Sequence, residues 1–427
     1  MALDLNRDEK RTFALHLSYS FIEGILVGAL VLNEFIFLIS MKGSNYQYGI
    51  LFQFTTIVFL LSVFCNELLE RTRNKKKMLR IVGAVTRFPL TLIIFFPAST
   101  SEISSNQVYH YIFLAIFLLY YLATPVVYPT INLFLKNSYS HENFSKLYSY
   151  SSSVNKITTL VALFIFGLML EKDHFIFIYV YPVFAVLGFI SILLLSAIKY
   201  KVPDFKPVKS GFFESIRNSA GKMIRIIKQN KPYRDFEIGF MFYGFSYMIT
   251  YSVITLYFVK ALDLNYFSIS FYKNSFNILA ILILPYCGKL LGNTDPRKYA
   301  IVTFGSLFLY LLFVTLTEFA PGMTEIYDIR IYYMLIIATV FYGIFTATML
   351  LLWSIGSAYF CTNEQAGHYQ SVHLSLVGLR GLFAPLIGIF FYEMAGFTWT
   401  FILGMILLLI AVMLMMISYK RHKQVKK

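Results

Sequence analysis

The chain has 427 residues, of which 58% are apolar, 18% aromatic and only 14% charged. Soluble domains are roughly a quarter charged, so this composition excludes a soluble globular protein. The net charge of +15 does not read as nucleic-acid binding, because the basic residues sit in short segments between apolar runs, where membrane topology places them.

Apolar runs of about 20 residues, enough to cross a hydrocarbon core of ~30 Å as a helix, recur from end to end. Their spacing predicts twelve transmembrane helices, beginning near Phe13, Tyr48, Met78, Val108, Tyr148, His174, Phe236, Ser268, Tyr299, Ile331, Gly367 and Thr398. The first run follows MALDLNRDEKR. It is longer than a signal-peptide core and no small-residue cleavage site follows it, so a retained span is expected.

An even number of spans puts both termini on one side. On that side lie Arg71, Arg73, Lys75, Lys76, Lys77 and Arg80, ten basic residues from Lys199 to Arg234, and the tail Lys420, Arg421, Lys423, Lys426 and Lys427. The opposite side carries about five, such as Lys42, Lys172 and Arg330. That asymmetry predicts cytoplasmic termini. Cys65, Cys287 and Cys361 then lie at or near the reducing side, with no disulfide framework or metal-ligand spacing.

The longest connection divides the chain into a six-helix bundle (1–198), a basic linker (199–235) and a second six-helix bundle with a basic tail (236–427). In the linker Phe213, Ile216, Ala220, Met223 and Ile227 recur at helical spacing. They predict an amphipathic helix, on the inner leaflet or as a solvated connection. The halves echo each other at an offset of about 220 residues: Asn45-Tyr46 with Asn265-Tyr266, Cys65 with Cys287, and NELLERTRNKKK with GKLLGNTDPRKY. Together these point to an internal duplication, common in secondary transporters, with a site near midplane.

Over essentially its full length the chain resembles the major facilitator superfamily. The resemblance rests on twelve expected spans, the basic central loop, and degenerate copies of the family's loop motif. Glu70-Arg71 matches its acid–base pair and Lys75 to Lys77 its basic end, with Asn66 and Arg73 in place of the two glycines. Gly288, Asp295, Arg297 and Lys298 form a looser second copy. The resemblance implies a cytoplasmic gate role for Glu70 and Arg71; the alternative is that they are ordinary topology signals. Span five, YSYSSSVNKITTLVALFIFGLML, lacks the Gly-Pro-rich pattern of drug:proton antiporters, and no substrate subfamily is suggested.

Ionisable groups within spans are costly and mark functional sites. His16, Glu23 and Glu34 are spaced by seven and eleven residues, nearly whole turns, and so share one face of a continuous helix. Glu23 and Glu34 are the candidates for proton coupling. Gly24 and Gly28 have the small-xxx-small spacing of close helix packing. Arg380 interrupts YQSVHLSLVGLRGLFAPLIG one heptad after His373. It either binds an anionic group in a cavity or pairs with a carboxylate such as Glu23; Gly381 and Pro385 nearby allow a bend in the helix, the alternative being that Gly378 and Gly381 serve packing. Lys156, His373, the run Tyr243, Tyr247, Tyr251, and Trp353 complete the substrate-binding candidates. Arg87 is expected to snorkel toward the interface, and His110 to be interfacial.

No nucleophile–base pair, metal cluster or phosphate loop has convincing spacing, so an enzyme is not expected and no cofactor or metal is implied. The expected function is secondary transport of a small organic solute, anionic or with an anionic head group. Coupling to H⁺ is favoured over Na⁺, and the protein is expected to act as a monomer in a bacterial inner membrane. Efflux of hydrophobic compounds is the alternative, and an integral-membrane transferase a more distant one.

Overall fold

The structure, a computed structural model, describes residues 5–58, 60–61, 71–139, 141–199, 212–292, 294–361 and 366–422. It forms two compact units, Met1–Ile216 and Arg217–Lys427.

In the first unit, α1 (Arg7–Leu30) opens with a capping box, in which Asn6 accepts from the Glu9 amide and the Glu9 carboxylate from that of Asn6. α2 (Asn45–Ile57) has the same device, with Ser44 and Gln47. Then follow α3 (Lys75–Arg87), α4 (Val108–Tyr121), α5 (Thr124–Ser138), α6 (His141–Lys172) and α7 (Phe177–Ala197). α1 packs closely on α6 at its two glycines. A Cβ on Gly24 would lie 2.6 Å from the Asn155 carbonyl oxygen, and one on Gly28 would lie 2.9 Å from the Ala162 Cβ. α3 crosses α7 where Gly83 meets Ile192, and Arg80 Nε donates to Ser196 Oγ at 2.9 Å. The core here is aliphatic and aromatic, with Leu79, Ile131, Phe134, Leu147, Ile192 and Leu195 among its buried members.

The second unit holds α8 (Phe212–Gln229), most of which belongs to it, followed by α9 (Lys231–Lys260), α10 (Tyr266–Gly292) and α11 (Pro296–Phe319). α8 is the helix expected in the linker, and its Met223 sulfur accepts from Ser375 Oγ at 3.6 Å. Between α11 and the next helix lies a feature the hydropathy pattern did not suggest, an antiparallel hairpin of β1 (Met323–Ile326) and β2 (Ile329–Tyr332). Tyr327 and Asp328 both take positive φ, 47° and 61°, as a two-residue turn matched to strand twist requires. Span ten, expected to start near Ile331, is helical from Tyr333, directly after the hairpin. α12 (Tyr333–Ile355), α13 (Ala366–Gly381) and α14 (Ala384–His422) complete the unit.

α14 is broken at Gly396, whose φ of 85° is non-helical. Gly388 and Gly404, equally far from that break, both press on one turn of α9. A Cβ on the first would lie 2.8 Å from Ile249 Cα, while a Cβ on the second would clash with Thr250. On a straight helix these positions would be about 24 Å apart, so the chain doubles back at Gly396. Ten helical segments among the described residues are long and apolar enough to cross a membrane, and the last of them, Val372–His422, contains this reversal. Span two of the expected twelve runs from α2 into residues 62–70, outside the described residues.

Candidate functional site

Arg380 lies at the end of α13, where the helix stops at Gly381 and resumes at Ala384, one residue before Pro385. Proline has no amide hydrogen and disfavours helix at the preceding residue, which explains a break so close to an apolar span's middle. The side chain is 2% exposed. Its Nη1 donates to the Phe240 carbonyl at 2.7 Å, and the guanidinium carbon lies 5.8 Å from the Tyr243 ring centroid. Nε has no hydrogen-bond acceptor among the described residues. The space is provided by Gly244, since any Cβ there would overlap the guanidinium.

Two turns earlier on α13, His373 is equally buried and its Nδ1 lies 3.1 Å from Glu237 Oε2. Seven residues separate Glu237 from Gly244 and His373 from Arg380, so α9 and α13 run in the same direction along this seam. Trp353 meets the imidazole edge-on at 4.8 Å and Phe240 does so at 5.0 Å. Glu237 was not anticipated from sequence. It stands in KPYRDFEIGF at the head of α9, where a carboxylate reads as an ordinary end-of-span charge. Its helical phase with Phe240 and Gly244 was the available signal.

The tyrosines form a ladder along α9. Tyr243 to Tyr247 is 6.1 Å between centroids and Tyr247 to Tyr251 is 5.3 Å. Tyr243 also stacks on Phe304 at 4.7 Å. Arg380 stands at one end of the ladder, and at the other Lys273 Nζ donates to Tyr251 Oη at 2.5 Å. Lys273, 7% exposed on α10, is a further buried cation that sequence reasoning passed over.

The remaining candidates lie in the first unit. Glu23 accepts from Ser191 Oγ at 2.6 Å and is half-buried. α1 ends at Leu30 and a new short helix starts at Asn33, on which Glu34 is half-buried. His16 is buried, with Nδ1 3.2 Å from Tyr139 Oη. Lys156 is exposed on its unit, beside Asn155, which donates to the Ser20 carbonyl at 2.9 Å. Arg71 is half-buried, and Glu70 lies outside the described residues. Arg87 does not snorkel: it is buried, its guanidinium 3.8 Å above the Tyr120 ring and its Nη1 donating to the Tyr120 carbonyl at 3.2 Å. The ring and carbonyl replace the water it would otherwise seek. His110 is buried as well, with Nε2 2.8 Å from the Met41 carbonyl. In the looser copy of the loop motif, Asp295 holds Arg297 at 2.8 Å, and Arg297 donates on to the Ser418 carbonyl at 3.0 Å.

Two helical units crossed by apolar helices, one of them broken beside a buried arginine, define a polytopic α-helical membrane protein of transporter architecture. The chain belongs to the Major Facilitator Superfamily, whose profile matches residues 12–329. No curated protein matches the sequence. Among solved structures, the nucleoside transporter NupG superposes with a TM-score of 0.65 at 14% identity, over 98% of this chain and 100% of that one. A POT family transporter in complex with a thioalcohol-conjugated peptide gives 0.69 at 10% identity, over 98% and 97%. A bacterial homologue of the iron transporter ferroportin gives 0.67 at 12%, over 96% and 98%. At such identities the likeness is one of fold.

Proposed function

We propose that the protein carries a small organic solute, anionic or with an anionic head group, across a bacterial inner membrane by alternating access. The observation that supports this most is Arg380. It is a permanently charged fork, buried beside a helix break, held by one carbonyl and one ring, with Nε directed at no acceptor among the described residues. Broken helices in secondary transporters commonly flank substrate sites, and a guanidinium suits carboxylates and phosphates. His373, Trp353 and Tyr243 extend the same site, and Tyr247 and Tyr251 line its continuation. Lys156, in the first unit, is a further substrate-binding group. Glu23 and Glu34 are the groups through which H⁺, rather than Na⁺, is coupled, and Glu70 with Arg71 acts at the cytoplasmic gate.

Proteoliposome uptake with matched anionic, neutral and cationic organic solutes tests the reading. An anionic class transported by wild type and lost in Arg380→Gln supports it. Equal transport of neutral or cationic hydrophobic solutes by both forms would replace it with efflux of hydrophobic compounds.

A further inference from the structure

Glu237 and His373 are 3% and 2% exposed, both within the second unit. A carboxylate only accepts hydrogen bonds, so the hydrogen between them, over 3.1 Å, belongs to His373 Nδ1. The other ring nitrogen, Nε2, is then a bare base, and it is buried with no hydrogen-bond partner among the described residues. A polar atom left in that condition is costly and calls for a use. Phe240 touches both this pair and Arg380: its ring meets the imidazole at 5.0 Å, and its carbonyl accepts from the guanidinium at 2.7 Å. Glu237 is also less than two helical turns from the exposed Lys231 at the start of α9, so a proton from solution has a short way to travel.

With the imidazole neutral, the pair carries a single negative charge; with one more proton, on either partner, it carries none. Arg380 follows His373 by one heptad, about 10 Å along the helix. An anion bound there is repelled by the charged pair and not by the neutral one. Protonation therefore tightens the anion, and by reciprocity the anion draws in the proton. At an effective dielectric of about 20, that separation makes the effect on the order of tenfold. The titratable groups facing the pair among the described residues are Tyr233 on α9, Tyr369 and Arg380 on α13, and Cys361 just before α13. α12 meets it with Trp353, α11 reaches the adjoining Phe240 with Phe304, and α14 reaches the adjoining Gly239 with Met415. Arg380 is the one permanent charge among these groups. We propose that Glu237 and His373 form a proton site linked to Arg380, which takes up a proton from solution as an organic anion binds, so that the two are carried in the same direction. The inference rests on the organic-anion reading above and adds to it, beside the carboxylates of the first unit, a proton site and a sense of coupling, symport.

Purified protein would be titrated with lactate, benzoate and hexanesulfonate, anions that stay ionised between about pH 6 and about pH 8, and apparent affinity taken from the rise in melting temperature. In wild type the affinity is expected to rise about tenfold as the pH is lowered across that range. In the double variant Glu237→Gln/His373→Gln, whose amides can still hydrogen-bond each other and cannot titrate, it is expected to stay constant. Should that variant fail to fold, Glu23→Gln/Glu34→Gln, which lacks the first unit's coupling carboxylates, is mixed with the anion in weak buffer beside a pH indicator. The solution is expected to turn alkaline as the remaining pair takes up its proton, and no such change overturns the inference. Affinity that is constant with pH in wild type, that weakens as the pH falls, or that changes equally in the Glu237→Gln/His373→Gln variant also overturns the proton site, and leaves the transport reading standing. If none of the three anions stabilises wild type at either pH, the organic-anion reading itself falls and takes the inference with it.

Discussion

The guanidinium of Arg380 occupies the volume that a side chain on Gly244 would need. The pair is thus a lock in which one residue's absence of atoms permits the other's charge, and a methyl at Gly244 forces the arginine away from the Phe240 carbonyl. Gly244→Ala is expected to cost about 1–3 kcal/mol, as overpacking of tight interiors does, and to abolish uptake of anionic solute. Denaturation in detergent beside a flux assay checks both. Full transport with an unshifted melting curve would show that the guanidinium has another place to go.

Glu237 and His373 are each buried to within a few per cent and hydrogen-bonded to each other. Removing one partner of such a pair leaves the other unsolvated, at about 3–5 kcal/mol, whereas replacing both with apolar residues is often neutral. Glu237→Leu or His373→Leu alone should lower the unfolding midpoint strongly, and the double variant should recover most of it. Additive losses in the double variant would show that the two groups are held by different neighbours.

Gly24 and Gly28 let α1 reach α6 without intervening side chains. Gly28→Val would press into the Thr159 carbonyl and the Ala162 methyl, with an expected loss of about 1–3 kcal/mol. The exposed Phe21 on the same helix serves as control, since Phe21→Leu should leave the stability within about 1 kcal/mol of wild type. Equal effects at the two positions would refute the close-packing account.

If Glu23 carries the coupling proton, Glu23→Gln should stop accumulation driven by a proton gradient while allowing exchange of labelled for unlabelled solute. Ser191→Ala, which removes the hydroxyl bonded to Glu23, should alter the gradient dependence less. Gradient-driven accumulation that survives Glu23→Gln moves the coupling role to another carboxylate.

The sequence exposed what depends on long averages and hid what depends on single neighbours. Apolar runs located the spans, and Gly381 with Pro385 located the break beside Arg380, because membrane length and proline stereochemistry act locally. Arg380 and His373 were legible as a pair because two helical turns separate them on one helix. Glu237 and Lys273 were not, since each acts through a partner on another helix that only the fold brings near. Arg87 was misjudged for the same reason: its destination is the Tyr120 carbonyl on α4, and no periodicity in α3 reveals it. The hairpin escaped because eight strand residues beside a long apolar run vanish in a hydropathy window.

The reversal at Gly396 has a bearing on biogenesis. With the turn confined to so short a stretch, little slack remains for one arm to cross the bilayer while the other waits in the translocon. The final two segments must therefore partition into lipid together, as a preformed helical hairpin, after α9 is in place to receive both arms. A bulky β-branched residue at Gly396, in a region of backbone space that such residues avoid, would then be felt during synthesis as a failure of insertion, before any question of transport arises.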